Sequence, residues 1–202
     1  MKSFALILFS LFIFHFSVYA QQGLVSTATD FIVAGKYGSA NYYLDSVLRN
    51  NPKCVDALMM KGNVILNYSL DTTQTPLYIT TDDESIFSNT INEKPKILSV
   101  ETVTAVEKIW EQCLRIDSTR TDIYKGLCSI YAMALMKDSL KNEIVRLTKV
   151  EKDDGEQAFR ICEYARKFKE RNKFDDAMEL YQFVAQLFPK VARVRCDMAS
   201  EY

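Results

Sequence analysis

Asn172-Lys173-Phe174-Asp175-Asp176-Ala177, followed twelve residues after its alanine by Pro189, is the stretch that decides how this chain folds. Gly35-Lys36-Tyr37-Gly38-Ser39-Ala40, followed by Pro52, has the same offsets: three residues from aromatic to alanine, twelve from alanine to proline. Two separated windows with one spacing mark an internal repeat, which is how a chain specifies an architecture of stacked small units. Within the later window, Phe174, Ala177, Met178, Tyr181, Val184 and Ala185 recur at three- and four-residue intervals, the apolar stripe of an amphipathic helix. Val103, Val106, Trp110, Cys113 and Leu114 make a second such stripe. Asp138-Ser139 and Asp153-Asp154-Gly155 supply helix stop and cap signals between stripes. With only 6 Gly and 4 Pro, the chain lacks the punctuation of a turn-rich β fold.

The two windows resemble the tetratricopeptide repeat (TPR) family, whose unit of about 34 residues is a helix-turn-helix with small residues where helices touch and a closing Pro. Ala28 and Ala40 take the small positions of a first repeat, and Gly62 takes the corresponding one in the next. Tyr124-Lys125-Gly126-Leu127-Cys128-Ser129-Ile130-Tyr131 follows the family's opening pattern, with Cys128 as the small residue. The resemblance implies an all-α, right-handed α-solenoid of about nine helices. Its repeats would lie near 21–54, 55–120, 121–157 and 158–191, with a half repeat at 192–202. The second is split by an insertion at 69–99, where periodicity fails for longer than the ~12–15 residues of ordinary loops. Leu77-Tyr78-Ile79 and Ile86-Phe87 are its apolar groups. Asp82-Asp83-Glu84 lacks the alternating ligands and central Gly of a calcium loop and reads as a solvated acidic turn. Asn67-Tyr68-Ser69 is formally a glycosylation triplet.

The first twenty residues form a different kind of segment. Lys2 gives a positive start, Phe4 to Phe16 an apolar run broken only by Ser10 and His15, and Val18-Tyr19-Ala20 a cleavage-site pattern. That is the layout of a signal peptide, and the run is shorter than the ~20 residues of a membrane span. Residues 1–20 are therefore expected to be removed on export to the periplasm or outside the cell, leaving no stable membrane span. His15 is the only histidine, so the mature chain would have no imidazole for general base catalysis or metal ligation. Cys54, Cys113, Cys128, Cys162 and Cys196 form no CxxC pair and read as small buried hydrophobes. A net charge of -1 gives no reason to expect nucleic acid as a partner.

No phosphate loop, metal-spaced ligand set or nucleophile motif is present, so no enzyme activity, cofactor or metal is expected. Pairs such as Asp175-Asp176 sit at helix starts, where capping and the helix dipole account for them. The TPR resemblance implies a ligand groove lined by the first helix of each repeat. Its positions are Asp56, Met59, Asn63 and Asn67, then Asp122, Lys125 and Ser129, then Phe159, Cys162, Arg166 and Lys169, and finally Arg193 and Cys196. Asn63, Asn67, Lys125, Arg166, Lys169 and Arg193 are the partner-binding candidates, and the last four make the later half of the groove mildly basic. Glu163 and Glu170 balance that charge if these are ordinary solvated faces. Val25 and Thr29 occupy the positions where chaperone-tail binders of the family carry a carboxylate clamp, so that clamp is absent. The expectation is an exported, non-catalytic scaffold for a protein or peptide. The alternative is a carbohydrate- or nutrient-binding component of an envelope uptake system, which needs aromatics exposed on one surface. A terminal helix from about Lys190 to Tyr202 is expected to pack Met198 and Tyr202 against the fourth repeat, leaving a far side apolar enough to seat a partner, a second copy (self-association) or further repeats.

Overall fold

A computed structural model describes residues 22–70 and 97–191, and every regular element in them is a helix. The first, α1, is described over residues 22–33. It is followed by α2 (Tyr37–Asn50), α3 (Val55–Leu70), α4 (Val100–Ile116), α5 (Thr121–Met133), α6 (Lys137–Val150), α7 (Asp154–Glu170) and α8 (Phe174–Leu187). The helix expected at the C-terminus and the insertion's apolar groups lie outside the described residues, as does the signal segment.

The two windows that carry the repeat each mark a helix start, since α2 begins at Tyr37 and α8 at Phe174. Their ends are set by proline, which pushes the preceding residue out of helical geometry. Asn51 accordingly has φ −139° and ψ 85°, and Phe188 φ −125° and ψ 63°. Helix α6 has the same 14-residue length as both and stops without a proline, Glu151 turning extended at ψ 140°. Two N-caps hold by side chain: Ser99 Oγ accepts from Thr102 N at 3.2 Å, and Asp153 Oδ1 from Glu156 N at 3.0 Å. Asp138, expected as a cap signal, lies instead inside the first turn of α6, whose cap position is Met136.

The turns inside three helix pairs are built alike. Among the described residues Gly35, Leu135 and Asn172 are the positive-φ ones, at 69°, 58° and 59°. In each turn the next amide reaches back five residues: Lys36 N to Phe31 O at 2.8 Å, Met136 N to Tyr131 O at 2.9 Å, Lys173 N to Phe168 O at 2.9 Å. The left-handed residue itself bonds three back, to Ile32, Ala132 and Lys169. This is the Schellman ending, and it reverses the chain so that each second helix packs on its first.

The described residues fall into two compact units, α1–α3 and α4–α8. In the first, Ala28 and Ile32 of α1, Tyr37, Ala40, Leu44 and Val47 of α2, and Ala57 and Val64 of α3 form one buried cluster. In the second, α5 is central, packing on α4, α6 and α7. It is buried at every residue from Asp122 to Ala132. Close approach is possible because Gly126 faces the fully buried ring of Trp110, where an added Cβ would lie 2.8 Å from Cζ3. Helix α7 also packs on α8, and the small residues Ala158 and Ala165 of α7 and Ala177 of α8 are all buried.

Candidate functional site

The first-helix faces hold most of the candidate residues inside the protein. On α3, Asn63 and Asn67 are fully buried. Asn67 Nδ2 donates to Asn63 O at 2.8 Å, and Asn63 Nδ2 approaches Met60 Sδ at 3.8 Å. Asn63 Oδ1 has no hydrogen-bond partner among the described residues. Because the Asn67 amide is enclosed and engaged, the Asn67-Tyr68-Ser69 triplet offers no room for a glycan.

On α5 the polar row Asp122, Lys125 and Ser129 is buried as well. A helix can carry such a row inside only if each group finds a partner. Asp122 receives Arg120 bidentately, Nε to Oδ1 at 2.9 Å and Nη2 to Oδ2 at 2.7 Å. Lys125 Nζ meets Glu151 Oε1 at 3.0 Å, in the α6–α7 connection. Ser129 Oγ donates to Lys125 O at 2.9 Å and lies 3.4 Å from Tyr164 OH of α7, which itself reaches Lys125 O at 3.3 Å. Gln157 Nε2 donates to Glu151 O at 2.9 Å. These residues tie α5 to α7 rather than presenting themselves to a ligand.

Of the first-helix positions in this unit, the ones left at the surface are on α7. Phe159 is 42% exposed, Arg166 is exposed, and Lys169 is half-buried. Arg166 Nη2 pairs with Glu163 Oε1, and Glu156 pairs with Arg160 at 2.6 Å. The face is therefore an exposed aromatic among paired charges. Two of the cations counted toward a basic groove are matched by Glu151 and Glu163, and Arg193 lies outside the described residues. Of the remaining first-helix positions, Asp56 is exposed while Met59 and Cys162 are buried.

A second feature belongs to the first unit. An open crevice of about 450 Å³ lies between the α1–α2 turn and the end of α3, lined by Lys36, Tyr37, Gly38, Ser39, Asn67 and Tyr68 together with Gly35. Tyr37 and Tyr68 stand 6.1 Å apart at 57° on its wall, and Tyr68 is 72% exposed.

Sequence reasoning missed a third group, between α4, α5 and α6. Arg146 donates from both Nη atoms to Glu111, Nη2 to Oε2 at 3.1 Å, and from Nη1 to Glu143 Oε2 at 2.8 Å. Its guanidinium lies 5.2 Å from the centre of the Tyr124 ring, and burial, with Glu107 and Glu143 adding to it, pushes the Tyr131 hydroxyl up. The i,i+4 pair Glu107/Glu111 and the i,i+3 pair Glu143/Arg146 were visible, but at such spacings they read as solvated helix faces.

Chemically these arrangements are quiet. Burial pushes the Cys128 thiol well up, with Glu143 adding to the effect, so it is a poor nucleophile. Cys113 and Cys162 are buried and Cys54 is half-buried, none of them in a disulfide among the described residues. Among the described residues no group of three His, Cys, Asp or Glu side chains is placed to hold a metal ion, and no helix is long and apolar enough to cross a membrane.

No protein-family profile matches the chain, and no curated protein matches it. Solved structures do. A crystal structure of MamA superposes with a TM-score of 0.53 at 13% identity, covering 90% of this chain and 80% of its own. PilF of Pseudomonas aeruginosa superposes with a TM-score of 0.53 at 11% identity, covering 92% of this chain and 68% of its own. At such identities the likeness is one of fold. Both are TPR-like helical repeat proteins, and the all-α, TPR-like fold class read from the sequence is the observed one.

Proposed function

We propose that this chain is an exported, non-catalytic scaffold that binds a protein or peptide partner across the outward face of α7. The observation that carries the reading is Phe159, an aromatic left 42% exposed on a helix whose other large apolar groups are buried. Exposed aromatics flanked by charges are the usual anchors of protein interfaces. Arg166 and Glu163 would form the polar rim, with Lys169 beside them. The removable N-terminal segment supports export, to the periplasm or beyond. The TPR-like fold supports a protein partner over a substrate, since the first-helix polar groups are used in packing. A double variant, Phe159→Ala with Arg166→Glu, tests the reading. Affinity purification from the exporting host's envelope fraction should recover a specific set of proteins with the wild type and lose it with the variant. Equal recovery would reject the face, and retention of the chain in the cytoplasm would reject export.

The carbohydrate-binding reading keeps one observation in its favour, the crevice walled by Tyr37 and the exposed Tyr68. Aromatic rings beside polar groups suit a sugar ring. Calorimetric titration with mono- and disaccharides, repeated on Tyr68→Ala, decides it: tyrosine-dependent binding would favour this reading, and no binding would leave the scaffold alone.

A further inference from the structure

We propose that the α4–α5–α6 layer contains a proton site. Glu143, which shares the single guanidinium of Arg146 with Glu111, is carried neutral in the folded protein under mildly acidic conditions. Its ionisation as pH rises weakens the layer.

The geometry gives three reasons. Glu143 is 3% exposed, so an ionised carboxylate there has almost no water to solvate it. Its Oε2 accepts one bond from Arg146, while Oε1 is buried with no hydrogen-bond partner among the described residues. The counter-charge is also shared: Arg146 engages Glu111 through both Nη atoms, so one guanidinium serves two carboxylates.

The surrounding elements do not make up the deficit. From α4 come two further carboxylates, Glu107 and Glu111, and Tyr131 of α5 is a hydroxyl that burial, Glu107 and Glu143 push up. Also from α5, Tyr124 lies against Arg146 and Cys128 is a buried thiol. From α7, Arg160 acts on Cys128, but it is bonded to Glu156. From α8, the carboxylates Asp176 and Glu179 take Lys137 and Lys141 on the other side of α6, and α8 has no basic residue of its own. Two acids placed beside a shared counter-ion cannot both ionise cheaply.

Burial, chiefly, pushes the Glu143 carboxyl up to about 7, with Glu111 and Glu107 adding to the rise and Arg146 opposing it. The sign follows by linkage. Between the ordinary glutamate range near 4.5 and about 7 the folded state holds a proton that the unfolded state has released. Stability from this group is thus fully present below that window and lost as pH rises through it. The depressed carboxylates of the protein act at lower pH and with opposite sign, so the two effects separate on the pH axis.

Thermal melts of the full chain and of Glu143→Gln, from pH 5 to pH 8, test the proposal. The wild type should lose melting temperature across that range by several degrees more than the variant, and the variant should be the more stable of the two at pH 8. Parallel profiles would overturn it. Carbon-13 titration of the glutamate carboxyls in the wild-type protein gives an independent reading that needs no variant to fold. One glutamate should titrate near neutrality, and all midpoints falling below about 5.5 would overturn the proposal.

Discussion

Gly126 is where the packing has least room. It is Gly because α5 rides against the Trp110 ring, and a methyl there would meet Cζ3 at 2.8 Å. Gly126→Ala gains helix propensity yet must displace a buried indole, so a net loss of about 1–3 kcal/mol is expected in denaturant melts. Leu135 presents the opposite case. It holds φ 58° in a turn whose counterparts use Gly35 and Asn172. A left-handed side chain costs about 1–2 kcal/mol and an added glycine about 0.5–1 in chain entropy. Leu135→Gly should therefore stabilise by roughly 0.5–1 kcal/mol, and a lowered melting temperature would show that Leu135 earns its place through packing. Lys125 separates burial from binding. Because its buried ammonium pairs with Glu151 of the α6–α7 connection, Lys125→Ala should cost on the order of 3 kcal/mol of stability, with Glu151→Gln as a second change restoring part of it. A groove lysine would have weakened partner binding and left stability alone.

Among the elements, α6 and α8 show how second helices are held. Lys137 of α6 pairs with Asp176 at 2.8 Å and with Glu179, Lys141 pairs with Glu179 at 2.8 Å, and Lys141 lies 5.0 Å from the Phe183 ring centre. The two lysines hold the Glu179 carboxyl down to about 2. A depressed carboxylate stabilises above its unfolded range, near 4.5, and that contribution fades as pH falls toward about 2. Glu179→Gln should then lower the melting temperature at pH 7 and leave it unchanged near pH 2, with the difference shrinking in high salt because the clamp is at the surface. Across the α7–α8 contact, Ala177→Leu should overpack a buried position, costing about 1–3 kcal/mol. An unchanged melting temperature would contradict the close approach of these helices.

For the whole molecule, legibility divides along a physical line. The helices that begin at Tyr37 and Phe174 were readable because alanine and proline each do a local job, permitting contact and stopping the helix; of the two aromatics Tyr37 is buried and Phe174 is exposed. The turn at Leu135 was unreadable, since leucine carries no left-handed signal and only its neighbours' hydrogen bonds put it there. The first-helix candidates were placed on the correct helices by spacing, but spacing does not say what packs over a face. Asn63, Asn67 and Lys125 therefore read as groove residues and are buried, while Phe159 and Arg166, read the same way, are exposed. The Glu143 cluster was hidden for the same reason, because an i,i+3 charge pair looks identical on a wet helix and in a dry layer.

The central claim is that the outward face of α7 receives a protein partner. It is tested most directly by placing a photo-crosslinking amino acid at Phe159, with exposed Lys149 of α6 as the control position, in cells that make the full chain. The account predicts a discrete crosslinked protein from position 159, competed away by excess wild-type chain and absent from position 149. No crosslink at 159, or the same products from both positions, would contradict it.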